Sequence, residues 1–222
     1  MADARTLRVA DPERYPGIEG LPSLPKAREA AKGCTACDLH ARATQTVFGE
    51  GSRDARVVLV GEQPGDREDV IGKPFVGPAG ALLDRALEEA GIDRSTVYVT
   101  NAVKHFKWRP RGKRRLHEKP NAVEIAACRY WLDLELQLIT PDVVVCLGST
   151  AAQALLGRQF RVTRDRGVWV ESDVAPHVIA TIHPSAILRA PDDATRDKEM
   201  KRFVADLRKV AKRIDELEPA RA

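Results

Sequence analysis

The segment Val57-Val58-Leu59-Val60-Gly61-Glu62-Gln63-Pro64-Gly65 indicates the fold more clearly than any other part of the sequence. It begins with consecutive apolar residues, which is typical of a strand buried on both faces of a parallel sheet, and it ends in a turn with polar side chains. A second segment has the same form, because Val178 to Ala180 is followed by Thr181-Ile182-His183-Pro184-Ser185. In open parallel sheets ligands bind at the carboxyl ends of the strands. Both turns are therefore predicted to line a functional site.

Predicted strands and helices alternate along the chain. The predicted strands cover residues 56–61, 97–100, 143–147 and 177–181, with a short strand at 168–170. The predicted helices cover residues 24–36, 79–90, 121–138, 148–156 and 194–217. This alternation predicts an α/β fold with three layers, α/β/α, around a central four-stranded parallel sheet. We expect an N-terminal arm over residues 1–23, a single domain over 24–217 and a C-terminal tail over 218–222.

The composition is typical of a single globular domain, with 43% hydrophobic and 31% charged residues in a chain of 222. No apolar run approaches the roughly 20 residues that span a bilayer, and residues 1–25 lack the apolar centre of a signal peptide. We therefore expect a soluble, monomeric protein in the cytoplasm, associated with DNA in the nucleoid. In that reducing compartment the four cysteines indicate thiolate or metal chemistry rather than disulfides.

The positive charge is concentrated in one segment. Between Lys104 and Lys119 there are eight basic residues and a single acid, whereas the formal net charge of the whole chain is +4. Such a cluster favours binding to the phosphates of a nucleic acid, although a solvated loop has the same composition.

Candidate site residues follow successive predicted strands. Glu62 and Gln63 follow the first strand, Asn101 the second, Gly148 the third and His183 the last. Taken singly, Asn101 is equally typical of a turn and His183 of a surface histidine. Their common position after parallel strands predicts that they meet at one edge of the sheet.

Several motifs resemble those of the iron–sulfur uracil-DNA glycosylases, and the similarity extends over roughly residues 24–207. The motifs are Cys34-x-x-Cys37, Val47-Phe48-Gly49-Glu50-Gly51, Val60 to Gly65, Gly72-Lys73-Pro74-Phe75-Val76-Gly77, Tyr98-Val99-Thr100-Asn101 and His183-Pro184-Ser185. Two features depart from the usual family pattern: Gln63 replaces a glycine, and an insert runs from Arg111 to His117. Both resemble the X-type branch, UdgX, whose members capture uracil-containing DNA covalently through the histidine of the insert.

The resemblance implies roles for the residues that would bind the base. His183 would donate to uracil O2, where negative charge develops, and Asn101 would hydrogen-bond the edge that carries O4 and N3–H. Phe75 would stack on the flipped base, unless it is an ordinary core aromatic residue. Asp66 would exclude thymine at the C5 edge. Gln63 and Ser185 complete the predicted substrate-binding set.

The resemblance also implies a covalent nucleophile. Imidazole is largely neutral in the cell and can attack carbon when a carboxylate orients it, so His117 would attack C1′ of the sugar while Glu62 accepts the ring proton. Arg114 and Arg115 would hold the loop near phosphates. The alternative is that His117 is only a polar residue of a basic loop.

A metal site is predicted from the cysteines. The spacing of Cys34 and Cys37 suits either zinc or an iron–sulfur cluster. In the resembling family the remaining ligands are two cysteines, at positions occupied here by His105 and Cys128. The resemblance therefore implies a structural [4Fe–4S] cluster with three cysteines and one histidine. Cys146 is a competing ligand, although its apolar surroundings favour a buried free thiol.

Three functional hypotheses follow. The first is recognition of uracil in DNA, including single-stranded DNA, with release of free uracil and covalent capture of the sugar. The second is a conventional glycosylase that turns over and leaves an abasic site. The third is a nonenzymatic, metal-containing nucleic-acid-binding module in which Gly61 to Gly65 binds phosphate.

Overall fold

The computed structural model describes residues 23–217. The predicted N-terminal arm, except residue 23, and the predicted tail over residues 218–222 lie outside this range. The helices are α1 (Leu24–Ala31), α2 (Asp66–Ile71), α3 (Pro78–Glu89), α4 (Ala122–Ile139), α5 (Ser149–Leu156), α6 (Val162–Asp165), α7 (Pro184–Leu188) and α8 (Asp193–Leu217). The strands are β1 (Val57–Gly61), β2 (Val97–Asn101), β3 (Trp108–Arg111), β4 (Arg114–His117), β5 (Val143–Leu147), β6 (Trp169–Val170) and β7 (His177–Thr181).

The main sheet has the strand order β2-β1-β5-β7-β6. The first four strands are parallel, which confirms the predicted four-stranded sheet, and β6 adds an antiparallel fifth strand at the edge. β1 lies between β2 and β5, and the chain therefore leaves β1 in one direction and returns to its other side. This reversal opens a crevice beside the carboxyl end of β1, where ligands of such sheets bind.

Helices cover both faces of the sheet. Alternate strand residues point to opposite faces, so Val58 and Val60 face a core formed with α1, α4 and α5, whereas Val57 and Leu59 face a core formed with α3, α7 and α8. Both faces are apolar because all five residues of β1 are buried. The three-layer prediction is confirmed.

The basic insert forms a hairpin instead of the predicted loop. β3 and β4 pair antiparallel, with Trp108 opposite His117 and Arg111 opposite Arg114. The two-residue turn begins at Gly112, whose φ of +58° is readily adopted only by glycine. The hairpin therefore carries His117 at the end of its second strand.

Other differences are local. The short helices α2, α6 and α7 were not predicted, and α1 ends at Ala31 rather than residue 36. Val123, predicted on the apolar side of α4, is 75% exposed because it lies in the first turn, before the helix reaches the core. Within residues 23–217, no helix is both long enough and apolar enough to cross a membrane.

Candidate active site at the carboxyl edge of the sheet

Asn101 closes the floor of the site at the end of β2. The residue is 3% exposed, and its Oδ1 is buried without a hydrogen-bond partner in the described part of the chain. Gly61 is its register partner in β1, where an added Cβ would overlap Asn101 Oδ1 and lie 2.7 Å from Phe75 Cζ. Glycine at this position therefore leaves room for the carboxamide and the aromatic ring. An unpaired buried acceptor is costly, which marks this oxygen as one that awaits a donor.

Phe75 forms the wall of the site. Its ring stacks on the His183 ring at a centroid distance of 6.1 Å and an interplanar angle of 28°. Its φ of +57° is unusual for a residue with a side chain, and its carbonyl lies so close to Gly80 of α3 that a Cβ there would overlap it. Strained backbone of this kind persists where the surroundings enforce it and is common at functional sites.

His183 lies between the end of β7 and the start of α7. Its Nδ1 accepts a hydrogen bond from the Ser185 backbone N–H at 3.1 Å and lies 2.8 Å from Ser185 Oγ. Because Nδ1 accepts, the proton of the neutral ring is on Nε2. Burial lowers the pKa of His183 to about 4, so the ring is neutral at pH 7. Ser185, predicted as a substrate-binding residue, here orients His183.

The pair of Glu62 and His117 lies at the same edge. His117 Nε2 is 3.2 Å from Glu62 Oε1, and the His117 side chain is half exposed whereas that of Glu62 is 22% exposed. Thr150, in the first turn of α5, donates a hydrogen bond to Glu62 Oε2. Burial raises the pKa of Glu62, but hydrogen bonds from His117 and Thr150 outweigh it and lower the pKa below its usual value. Glu62 is therefore a carboxylate at neutral pH.

Gln63 fastens the base of the hairpin. Its Nε2 donates to the carbonyl oxygens of Lys107 and Glu118, at 3.3 and 3.0 Å, and its Oε1 accepts from the Lys107 N–H at 3.2 Å. Lys107 precedes β3 and Glu118 follows β4, so one amide joins both ends of the hairpin. The predicted role of Gln63 in substrate binding stays untested, since these contacts occupy both ends of its amide.

Arg115 fastens the side of the hairpin to α2. Its guanidinium forms ion pairs with Asp66 Oδ1 at 2.5 Å and Asp69 Oδ2 at 2.6 Å, and it lies over the rings of Phe106 and Trp108. The predicted contact of Arg115 with phosphate stays a prediction. Asp66, predicted to border the uracil C5 edge, is 60% exposed and pairs with Arg115, and its role at the base also stays a prediction.

The basic segment contributes fewer surface charges than its composition predicts. Lys104 is fully buried and pairs with Glu135 at 2.5 Å, and Lys107 pairs with Glu124 at 2.9 Å. Four exposed basic side chains remain on the hairpin: Arg109, Arg111, Lys113 and Arg114. Of the two predicted phosphate-binding arginines, only Arg114 points to solvent.

Three of the four predicted metal ligands are neighbours. Cys128 and His105 lie close to Cys37, and the interaction with Cys128 lowers the pKa of Cys37 to about 5, against the opposing effect of burial. The same interaction with Cys37, together with burial, raises the pKa of Cys128. Cys34 is buried after α1, and its backbone N–H donates to the Ala31 carbonyl oxygen at 3.1 Å. A thiol with a lowered pKa is a thiolate, which is the form that binds metals.

The ring orientation of His105 also suits a metal ligand. Thr46 Oγ1 donates its single proton to the Ala31 carbonyl oxygen at 2.9 Å, so its 2.9 Å contact with His105 Nε2 requires Nε2–H to donate. The lone pair is then on Nδ1, which is buried without a hydrogen-bond partner in the described residues. No three His, Cys, Asp or Glu side chains in residues 23–217 are grouped around one point as for a single metal ion. A cluster with several irons does not require such convergence, because each ligand binds a different iron.

Cys146 differs from the other cysteines. It lies within β5, is fully buried, and has its pKa raised to about 12 by burial. It therefore stays a thiol, as its apolar surroundings predict.

Lys104 connects the two parts of the site. Its Nζ donates to the Asn101 carbonyl oxygen at 2.8 Å and to Thr100 Oγ1 at 2.6 Å, while its backbone N–H donates to Cys128 Sγ at 3.4 Å. Asn101 at the pocket floor is thus hydrogen-bonded by Lys104, the residue that also contacts Cys128. Sequence reasoning missed this role, and it missed Thr150 and Asp69, because nothing local distinguishes them from solvated or core polar residues.

The chain is similar to known proteins over most of its length. The family model described as the uracil DNA glycosylase superfamily matches residues 48–208. A Type-4 uracil-DNA glycosylase from Thermotoga maritima is 42% identical over 179 residues, which cover 80% of this chain and 87% of that protein. A Type-4 uracil-DNA glycosylase from Pyrobaculum aerophilum is 37% identical over 175 residues, covering 76% and 86%. A Type-5 uracil-DNA glycosylase from Thermus thermophilus is 36% identical over 126 residues, covering 50% and 53%.

Proposed function

This chain belongs to the uracil-DNA glycosylase superfamily, and we propose that it recognises uracil in DNA, cleaves the N-glycosidic bond and captures the sugar covalently through His117. The observation that carries the proposal is the 3.2 Å contact between His117 Nε2 and Glu62 Oε1, at the same sheet edge as Asn101 and His183. Such a reaction needs side chains that recognise the nucleobase and a nucleophile whose proton a carboxylate can accept.

Recognition of uracil depends on Asn101. Its unpaired Oδ1 accepts from uracil N3–H and its amide N–H donates to O4. Cytosine exchanges donor and acceptor at this edge, which leaves buried groups unpaired at a cost of about 1–3 kcal/mol each. Phe75 stacks on the base, which must leave the helix because C1′ is inaccessible inside a duplex.

His183 stabilises the departing base. Negative charge develops on uracil as the bond to the sugar breaks, and the Nε2–H of neutral His183 donates to O2. Ser185 holds Nδ1 as the acceptor, so the ring presents only this proton to the pocket. Since the pKa of His183 is lowered to about 4, the donor does not change its charge across physiological pH.

His117 takes the place of water as the nucleophile. The C1′–N1 bond breaks and its electron pair leaves with uracil, while a lone pair of the imidazole ring forms the new bond to C1′. The ring then carries a positive charge, which it loses when its proton passes to Glu62 Oε1. The products are free uracil and a protein–DNA adduct, so each molecule acts once.

A [4Fe–4S] cluster is proposed on Cys34, Cys37, His105 and Cys128. Thiolates and imidazole suit iron, and the unpaired Nδ1 of His105 together with the lowered pKa of Cys37 supports their use as ligands. When bound, the cluster supplies a structural link between the segment after α1, the segment after β2 and α4. Visible absorbance and iron content test this assignment, and a colourless protein with bound zinc would contradict it.

The exposed basic residues of the hairpin support DNA as the partner. They lie on the same hairpin as His117, toward its turn, where positive charge favours contact with the phosphates of the bound DNA. We also propose that single-stranded DNA is accepted, by a monomer that acts in the cytoplasm on nucleoid DNA.

A denaturing gel tests the proposal. Protein is mixed with a labelled oligonucleotide that contains one uracil, beside a thymine oligonucleotide and the variants His117→Ala and His177→Ala. His177 starts β7, at the opposite edge of the sheet, and serves as the matched control. We expect a slow band that survives heating, forms only with uracil, persists in His177→Ala and disappears in His117→Ala.

The second candidate is a conventional glycosylase, which the names of the relatives favour. It predicts no slow band, an alkali-labile abasic product, and uracil release in excess of the protein. Equal affinity for the uracil and thymine oligonucleotides without either product would instead favour a binding module.

A further inference from the structure

Thr150 contacts the proposed catalytic carboxylate but has no role in the reaction steps described above. It lies in the first turn of α5, directly after β5, and it is 3% exposed. Glu62 directly follows β1, the neighbour of β5 in the sheet, so the two side chains meet across the crevice between these strands. Nothing in the sequence around Thr150 distinguishes it from a helix residue of ordinary function.

The hydroxyl of Thr150 is committed to Glu62. Its single proton is donated to Glu62 Oε2, while Glu62 Oε1 faces His117 Nε2 at 3.2 Å. A carboxylate with one oxygen fixed cannot turn about its final torsion without losing a hydrogen bond to a charged group, which is among the stronger hydrogen bonds in proteins. Thr150 therefore determines which oxygen faces the imidazole.

The same contact limits what else Glu62 can do. A carboxylate that turned freely could also orient a water molecule to attack C1′. Thr150 holds Oε2, so Oε1 is the oxygen that faces His117. We infer that Thr150 is a positioning residue, which holds Glu62 so that its free oxygen takes the proton of His117 rather than that of a water molecule. This inference rests on the proposed covalent capture.

The electrostatic surroundings of Glu62 make this testable by pH. Two titratable groups face it, His117 from the hairpin and His183 from the segment after β7. Burial raises the pKa of Glu62, and hydrogen bonds from His117 and Thr150 lower it. Removing the Thr150 hydroxyl takes away one of the hydrogen bonds that lower the pKa of Glu62, while burial continues to raise it. Glu62 then gains its proton at a higher pH.

The substitution Thr150→Val removes the hydroxyl and keeps the shape. We expect single-turnover adduct formation at pH 7 to fall about tenfold to a hundredfold, the factor for one hydrogen bond to a charged group. We also expect the acidic limb of the rate–pH profile to move to higher pH, and the share of uracil release that ends in an abasic site to rise. Thr150→Ser restores the hydroxyl and should recover all three values. The exposed neighbour Ser149, changed to Ala, is the control for the start of α5.

The readouts separate this inference from the proposed function. A wild-type protein that releases uracil without forming an adduct refutes capture through His117 before Thr150 is considered. If the wild-type protein forms the adduct and Thr150→Val has the same rate, acidic limb and product ratio, only the role of Thr150 is refuted. Circular dichroism and visible absorbance establish folding. If Thr150→Val does not fold, Thr150→Ala is judged by the same rate and pH profile.

Discussion

Two adjacent residues at the end of β2 should respond in opposite ways when their polar groups are removed. Asn101 Oδ1 is buried without a protein partner, whereas Thr100 Oγ1 donates to Glu135 Oε2 at 2.8 Å and accepts from Lys104 Nζ at 2.6 Å. An unsatisfied buried acceptor costs about 1–3 kcal/mol, and a hydrogen bond to a charged group contributes about 1.5–3 kcal/mol. We therefore expect Asn101→Leu to stabilise the free protein and Thr100→Val to destabilise it.

The magnitudes can be read as melting temperatures. For a domain of this size, 1 kcal/mol corresponds to about 2–4 °C. Asn101→Leu, which is close to isosteric, should raise Tm by at least about 2 °C, and Thr100→Val should lower it by at least about 3 °C. Both are measured by circular dichroism at pH 7 with visible absorbance unchanged.

The gain in stability should come with a loss of recognition. Excess uracil should raise the Tm of the wild type, because it supplies the missing donor, and should leave that of Asn101→Leu unchanged. Loss of two hydrogen bonds of about 1.4 kcal/mol each predicts about a hundredfold slower adduct formation. If Asn101→Leu lowers Tm by more than about 2 °C, then Oδ1 is already satisfied and the pocket does not await the uracil edge.

Three further outcomes follow from contacts around the site. Gln63→Ala removes the hydrogen bonds at the base of the hairpin. Adduct yield should therefore fall at least about tenfold while uracil release continues, and one gel measures both. An equal loss of adduct and of uracil release would contradict a role of Gln63 that is confined to placing His117. Thr46→Val frees His105 to adopt the other tautomer, so iron content and visible absorbance should fall, and a full complement of iron would refute the assignment of Nδ1 as a ligand. The pKa of His183 is lowered from 6.5 to about 4, so the unfolded state binds more protons below pH 6.5, and stability should fall as the pH drops toward 4 by up to about 3 kcal/mol. Urea unfolding of His183→Gln should lack this component, and an identical pH dependence would rule it out.

The main sheet was predictable because its signal is local. The run from Val143 to Leu147 is apolar at every position, short and rich in valine, which is typical of a strand buried on both faces, and β5 and β7 have the predicted bounds. Glu62, Asn101 and His183 were predictable for a related reason, since the edge of a parallel sheet brings together residues that directly follow its strands.

The hairpin was not predictable in this way, since each of its strands has only four residues and most of their side chains are basic. Its strands are exposed or partly buried, and two strands alone are marginal in water. What holds them is remote in sequence: Gln63 at the base and Asp69 beside Arg115. The buried pair of Lys104 and Glu135 was missed for the same reason, because each charge is explained only by the other.

Three anchors of the hairpin belong to the segment that contains Glu62, the proposed catalytic base, and a further one is the Arg42 carbonyl oxygen, which accepts from Trp108 Nε1. Gln63 is the neighbour of Glu62, and Asp66 and Asp69 lie in the helix that follows within the same segment. A displacement of this segment therefore moves Glu62 together with the hairpin that carries His117. Proton transfer depends on the separation of those two side chains far more than on their position relative to the rest of the fold. The hairpin can thus remain exposed to solvent while the 3.2 Å contact between His117 and Glu62 is preserved.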